Sequence, residues 1–245
     1  MKKHYNVQSR LTNSLKAGSN PNDDELRDHL HEVHKSNPGF AESLARRCVD
    51  ASGRNSYEIL SDVFNPKLHS SLLDLACGSG VLLEICRKRF GQNCLLTGVD
   101  MSSEELDLAR RRNKDRAIKL YRGVAQDLHF IEDNTFDVVL CHWGLTLMDN
   151  VPVVLKEVER ILKSNGIFSA ILDGDPLTAE GYADVSDIIY SAVKNEFNKH
   201  DGIQLGDPRV RSRQTLIALI NGSMEGVVIE IEPIVLVLYG SPEEL

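Results

Sequence analysis

The chain of 245 residues carries 28 Lys and Arg against 36 Asp and Glu, a formal charge of −8 with a pI near 5.5. That balance argues against nucleic acid as the main partner, because phosphate recognition needs a basic face. At 42% hydrophobic and 26% charged residues, the composition is that of an ordinary globular protein, neither disordered nor membrane-embedded, with length enough for one large domain or a domain with a cap.

In chain order, Met1-Lys2-Lys3-His4-Tyr5-Asn6 begins basic but leads into no apolar run, so no secretory signal is expected. The polar residues up to Ala17-Gly18-Ser19-Asn20-Pro21 read as a mobile lead-in. Asn22-Asp23-Asp24 offers caps for a helix to about Lys35, ended by Ser36-Asn37-Pro38. A second helix is predicted from Pro38, with Phe40, Leu44 and Val49 at helical spacing and Gly53 closing it. Tyr57, Ile59, Leu60 and Val63 mark a third. Residues 1–70 thus read as a helical cap without a strand, and 71–245 as the main domain.

After Pro66 the pattern changes. Ser71 to Ala76 is a short apolar run stopped by Cys77-Gly78-Ser79-Gly80, and Val81 to Phe90 is amphipathic. Strands are predicted at Leu95–Val99, Ile118–Arg122, Phe136–His142 and Ile167–Leu172. Helices are predicted at Ser103–Asn113 and Pro152–Lys163, the latter stopped by Ser164-Asn165-Gly166 with Gly taking the left-handed position. Alternating strands and helices imply a doubly wound, mostly parallel α/β sheet with helices on both faces and a ligand at the carboxyl ends of its strands. The longest apolar stretches, Phe136 to Cys141 and Ile234 to Tyr239, fall far short of the roughly 20 residues of a spanning helix. Cys48, Cys77, Cys86, Cys94 and Cys141 form an odd, scattered set without a CxxC pair, so a reducing, cytoplasmic compartment and no cysteine-based zinc site are expected.

Asp74-Leu75-Ala76-Cys77-Gly78-Ser79-Gly80 lies where the first sheet strand meets its helix. Gly78 lets the backbone turn, and Gly80 is expected to let a ligand lie close against the main chain. A dinucleotide fingerprint would need a third Gly where Leu83 stands, and the Gly-Lys-Ser/Thr of a phosphate loop is absent. Asp100, at the end of the next strand, is placed to accept both hydroxyls of a ribose.

These features resemble the class I S-adenosylmethionine-dependent methyltransferases, and within them the type 11 small-molecule group that includes ubiquinone- and biotin-pathway enzymes. The resemblance covers about residues 70 to 172. It rests on four ordered segments: Asp74 to Gly80; Val99-Asp100-Met101-Ser102; Gly123 to Phe130 followed by Asn134 to Leu140; and Leu155 to Gly166. It implies a Rossmann-like fold, S-adenosyl-L-methionine as cofactor and methyl transfer to a small-molecule acceptor by in-line displacement. It further implies that Ala76, Cys77, Gly78 and Gly80 pack against the methionine part and that Asp74 reaches its amino group. Asp100 would hold the ribose, Met101 would lie beside the adenine, and Ala125, Gln126 and Asp127 would complete the adenine side. His142 and Trp143 would face the sulfonium and the acceptor. Val124 departs from the pattern, since the family usually has an acid there that binds the adenine amino group; Gln126, Asp127 or backbone groups must then supply that contact.

Other readings of the same residues stand beside this one. A non-catalytic S-adenosylmethionine-binding protein would share the site, and Leu83 speaks against a nucleotide-cofactor oxidoreductase. Cys77 and Cys141 read as packed thiols rather than nucleophiles. His142 could take a proton from the acceptor, or contact the cofactor through its backbone. His29, His31 and His34 supply one i,i+3 pair without a third ligand, which reads as a solvated polar helix and no metal site. Arg110-Arg111-Arg112 balances an acidic helix face. At the carboxyl end, where the chain looks short for the type 11 pattern, Arg213–Ile220 is expected as a helix and Val227–Glu232 as a sixth strand. Ile234–Tyr239 would continue it as a bent strand past Pro233 rather than turn back in a hairpin at Glu230 to Pro233. An apolar strand left there would be a liability, so a homodimer through it, or reduced solubility, is expected.

Overall fold

The computed structural model describes residues 10–19, 21–174 and 206–238, together with 181, 187 and 191. Leu11 and Leu15, one helical turn apart, bury a face of α1 (Arg10–Ala17) against Leu26 and Leu30 of α2 (Asp23–Ser36). The expected lead-in is therefore helical from Arg10 onward, because two leucines at i,i+4 suffice once a second helix offers them a partner. Asn22 and Glu25 start α2 with a complete capping box.

The second predicted helix is much shorter than its pattern suggested. α3 covers only Phe40–Ala45, and Phe40 and Leu44 are exposed. The chain then forms a short strand, β1 (Cys48–Val49), where none was expected before residue 70. The Asp50 carboxylate accepts the amides of Ser52 and Arg54, a local turn that competes with helix continuation toward Gly53. α4 (Ser56–Ser61) begins at a second full capping box, Asn55 with Glu58.

From residue 71 the expected alternation appears as β2 (Ser71–Leu75), α5 (Val81–Phe90), β3 (Leu95–Asp100), α6 (Ser103–Arg112), β4 (Lys119–Arg122), β5 (Phe136–His142), α7 (Val151–Ile161) and β6 (Leu162–Ile171). The strands form one parallel sheet in the order β4-β3-β2-β5-β6. The order reverses at β2, so the crevice beyond the carboxyl ends of β2 and its neighbours is where such a sheet takes a ligand. Strand alternation divides the core. Leu73, Leu75, Val139 and Cys141 face α7, while Leu72, Val138 and Leu140 face α4, α5 and α6 through Leu60, Leu82, Leu83 and Leu106. Leu82 and Leu83 are almost fully buried, which stabilises the fold by about 2 kcal/mol each.

Two sequence expectations fail at the carboxyl half. α7 ends at Ile161, and the left-handed residue is Asn165 (φ 66°), not Gly166. Gly166 is required for closeness instead, since a Cβ there would meet Leu162 Cδ2 and the Lys163 carbonyl at 2.9 Å. Beyond α8 (Arg213–Asn221), Val227–Glu232 forms no strand, and neither the bent strand nor the hairpin is made. Val227 and Ile231 pack on the core beside α8, and the Ile231 carbonyl is taken by Arg213. Pro233 supplies no amide for a ladder. Only β7 (Val237–Leu238) pairs, antiparallel to β1. Tyr239 lies outside the described residues. Among those described, no helix is long and apolar enough to cross a membrane.

Candidate active site

Two non-glycine residues adopt left-handed backbone at neighbouring strand ends: Ala76 (φ 59°) after β2 and Trp143 (φ 55°) after β5. Such conformations are held only where surroundings over-determine them, and they gather at functional sites. Here the Cys77 amide donates to Val99 O at 2.9 Å and the Trp143 amide to Ile171 O at 3.0 Å. Gly144 lets the two strand ends close, because a Cβ there would stand 2.7 Å from that of Ala76.

Asp100 organises the turn. Its Oδ2 accepts the Gly78 amide at 2.8 Å and its Oδ1 the Ser102 amide at 2.8 Å. A carboxylate has about four acceptor positions, so roughly two remain for hydroxyls of a ligand. The two glycines divide their work differently from the sequence expectation. Gly80 (φ 76°) faces α6, where a Cβ would meet Asn113 Nδ2 at 2.7 Å and Ala109 Cβ at 2.9 Å, so its missing side chain lets the helix pack close. Gly78 (φ 49°) has the open side, with nothing nearer to such a Cβ than Glu105 Oε2 at 3.9 Å.

The surroundings of this turn are acidic. Asp74 is 1% exposed and its Oδ2 has no hydrogen-bond partner. Burial, then the charge of Asp100, pushes its carboxyl well above the usual range. Burial also raises Asp100, against the two amides that lower it. Burial raises the Cys77 thiol as well, so this cysteine is an inert packed group. Glu42 of α3 reaches over from the cap: Ser79 Oγ donates to it, and Arg112 grips it with two bonds of 2.6 Å. Burial works against the Glu42 charge, but that fork and the serine hold its carboxyl below the ordinary range. Arg112, the last of the three arginines, is therefore occupied within the chain.

Ala76, Asp100, Met101, Ala125 and Gln126 come together around a cleft with about 550 Å³ of empty space, including its mouth. Val124 also lines it, and Asp127 lines the adjoining opening together with His129 and Phe130. Asp74, Cys77, Gly78, Gly80, His142 and Trp143 are not part of the cleft wall. The cleft has an outer wall made by Leu26, Arg27 and Leu30 of α2, where the helices from Asp23 onward are expected to cover the strand ends, and by Leu147, Met148 and Asp149 after β5, which sequence reasoning did not single out. Gln126 Nε2 donates to one carboxylate oxygen of Asp149, whose other oxygen pairs with Arg27. Asp127 turns to His129.

His142 is buried behind the cleft. Tyr57 stacks on its ring at 3.7 Å, and Ser56 Oγ lies 2.7 Å from Nε2, so that nitrogen is already engaged. Burial lowers its pKa to about 4, which keeps the ring neutral. A histidine depressed in the folded state costs stability on acidification, because the unfolded chain binds the proton first, near pH 6.5. Between pH 7 and 4.5, wild type should therefore lose about 2 kcal/mol more unfolding free energy than His142→Gln. Urea unfolding at both pH values checks this, and equal losses would show that folding does not shift the His142 pKa. Among the other histidines, His34 donates to Glu105 at 2.8 Å, so this face of α2 is not simply solvated. Among the described residues no cluster could hold a metal ion.

A five-stranded parallel sheet with a glycine turn after its central strand and an acid after the next defines a Rossmann-like methyltransferase fold. Residues 73–170, two fifths of the chain, match the type 11 family described as a methyltransferase domain. The demethylmenaquinone methyltransferase of Staphylococcus saprophyticus is 35% identical over 153 residues, which is 62% of this chain and 65% of that one. The protein of the same name from Symbiobacterium thermophilum is 36% identical over 120 residues, 47% of this chain and 46% of the relative. The chain thus spans about half to two thirds of the length of these relatives. In fold it is similar to a putative methyltransferase of Bacillus halodurans (TM-score 0.50, 19% identity, 69% of this chain and 68% of that one). It is also similar to a geranyl diphosphate methyltransferase solved with geranyl diphosphate and sinefungin (TM-score 0.51, 19% identity, 68% and 57%).

Proposed function

We propose that the chain transfers a methyl group from S-adenosyl-L-methionine to a small-molecule acceptor. The observation that carries this is the turn itself: Gly78 open on its ligand side, Asp100 with acceptor positions to spare, and Asp74 holding an unpartnered buried oxygen that suits a cationic amino group. When bound, the cofactor supplies a sulfonium whose S–CH₃ bond breaks as the acceptor's bond to that methyl forms, leaving a neutral thioether. The chain's residues bind and orient. Asp100 holds the ribose, Ala76 and Met101 line the path of the adenosine, and residues 10–70 act as a cap that keeps water from the strand ends. His142 serves as a neutral second-layer group behind the cleft and not as the base, since Ser56 and Tyr57 cover it.

The relatives named for demethylmenaquinone methylation support a small, apolar acceptor, and the cleft walls of Leu26, Leu30, Leu147 and Met148 agree with one. Incubating the protein with S-adenosylmethionine and demethylated quinols, with S-adenosylhomocysteine release read by mass spectrometry, tests the reading. Binding without release on any acceptor would favour a non-catalytic cofactor-binding protein.

A cytoplasmic location belongs to the same proposal, supported by five cysteines that are all free. So does the absence of a nucleic-acid role, supported by the net charge of −8. Self-association through the carboxyl-terminal segment is supported by the exposure of Val228 (89%) and Val235 (77%), although β7 itself is paired within the chain. Light scattering at high concentration is expected to show dimers, and a clean monomer would reject this part.

A further inference from the structure

Ser102 and Glu105 form the Ser-x-x-Glu pattern that closes a helix start reciprocally. In α6 only half of it is made. Ser102 Oγ accepts the Glu105 amide at 3.2 Å, but the Ser102 amide donates to Asp100 at 2.8 Å, so the Glu105 carboxylate has no place in the box. Asn22 with Glu25 and Asn55 with Glu58 complete both halves. Glu105, 2% exposed, turns inward instead. Its Oε1 accepts the His34 ring N–H at 2.8 Å and the Gly39 amide at 2.9 Å, both from the cap. Its Oε2 is buried without a partner. That oxygen lies on the open side of Gly78, 3.9 Å from where a side chain would begin. The second orphaned carboxylate oxygen near this turn, Asp74 Oδ2, belongs to the strand that leads into it.

A buried carboxylate oxygen without a donor is costly, and a cationic donor is the group it lacks. An ammonium has three diverging N–H donors, more than the one orphaned oxygen of Asp74 can take. Resting on the cofactor reading above, we infer that Glu105 is a second anionic anchor for the ammonium of the cofactor's amino-acid end. His34 and Gly39 hold the other oxygen of this carboxylate, so the cap and the cofactor meet on one side chain.

Calorimetry with two ligands tests this. S-adenosylhomocysteine and 5′-methylthioadenosine both carry the adenosine and a thioether, and only the first carries the amino acid. Glu105→Gln should weaken S-adenosylhomocysteine by about tenfold or more and leave 5′-methylthioadenosine within about twofold. Unchanged binding of both, or equal loss of both, would overturn the assignment, the latter by showing a merely structural role. Should Glu105→Gln fail to fold, His34→Gln keeps the Glu105 carboxylate but removes one of the two donors that hold its Oε1, and a loss of about threefold confined to S-adenosylhomocysteine is expected; equal effects on both ligands, or none, would overturn it. A wild type that binds 5′-methylthioadenosine but not S-adenosylhomocysteine also defeats the inference. A wild type that binds neither defeats the cofactor reading itself.

Discussion

Asp100→Ala is expected to weaken S-adenosylhomocysteine by at least about a hundredfold, the largest loss in binding of any single change in this chain. Two charge-assisted hydrogen bonds to a ribose are worth about 3 kcal/mol or more together. The same carboxylate holds the Gly78 and Ser102 amides, so its removal also loosens the turn that the ligand must lie on. Stability should fall by about 1–2 kcal/mol, because one carboxylate satisfies both amides. Asp100→Asn keeps one oxygen acceptor and should fall between wild type and Asp100→Ala in affinity. Calorimetry together with thermal unfolding separates the two effects. An unchanged affinity in the folded variant would remove Asp100 from the site.

Gly80→Ala is expected to be the most damaging substitution in the turn for stability, by about 2–4 kcal/mol. Its left-handed backbone (φ 76°) penalises any side chain, and the new methyl would press on Ala109 Cβ at 2.9 Å and Cα at 3.2 Å, so α6 must retreat from α5. Asn113 would also lose the bond its Nδ2 gives to the Gly80 carbonyl. Gly78→Ala pays only the backbone cost of about 1–2 kcal/mol, since nothing lies within van der Waals clash, but it fills the ligand side of the turn. The pair should therefore dissociate: Gly80→Ala lowers the unfolding free energy more, and Gly78→Ala lowers cofactor affinity more for its cost in stability. Equal effects of the two on both quantities would show that the glycines share one role.

The legible part of this protein was the part written in adjacent residues. Asn22-Asp23-Asp24 announced α2, the runs Ser71–Leu75 and Phe136–His142 announced their strands, and Gly78 with Asp100 announced the turn after β2. Where a local signal had a competitor, reading failed. Phe40, Leu44 and Val49 keep helical spacing, yet the Asp50 turn and the pairing of β1 with β7 end the helix at Ala45. The apolar run after Pro233 suggested a sheet strand, but most of it pairs with nothing among the described residues, because a strand is defined by its neighbour and not by its own composition.

The site divides in the same way. By itself the sequence determined the parallel sheet, the turn and the acid beside it, because caps, periodicity and glycine geometry act over a few residues. Only the tertiary structure decided which residues of α2 line the cleft, that Ser56 and Tyr57 cover the His142 ring, and that the Gln126 amide nitrogen is held by Asp149. The contact of His34 with Glu105 joins residues 71 positions apart, and Glu105 itself sits in a pattern that locally predicts a helix cap. Which partner a carboxylate finds, and which oxygen is left without one, depends on packing between distant segments, where burial makes every unpaired polar atom costly.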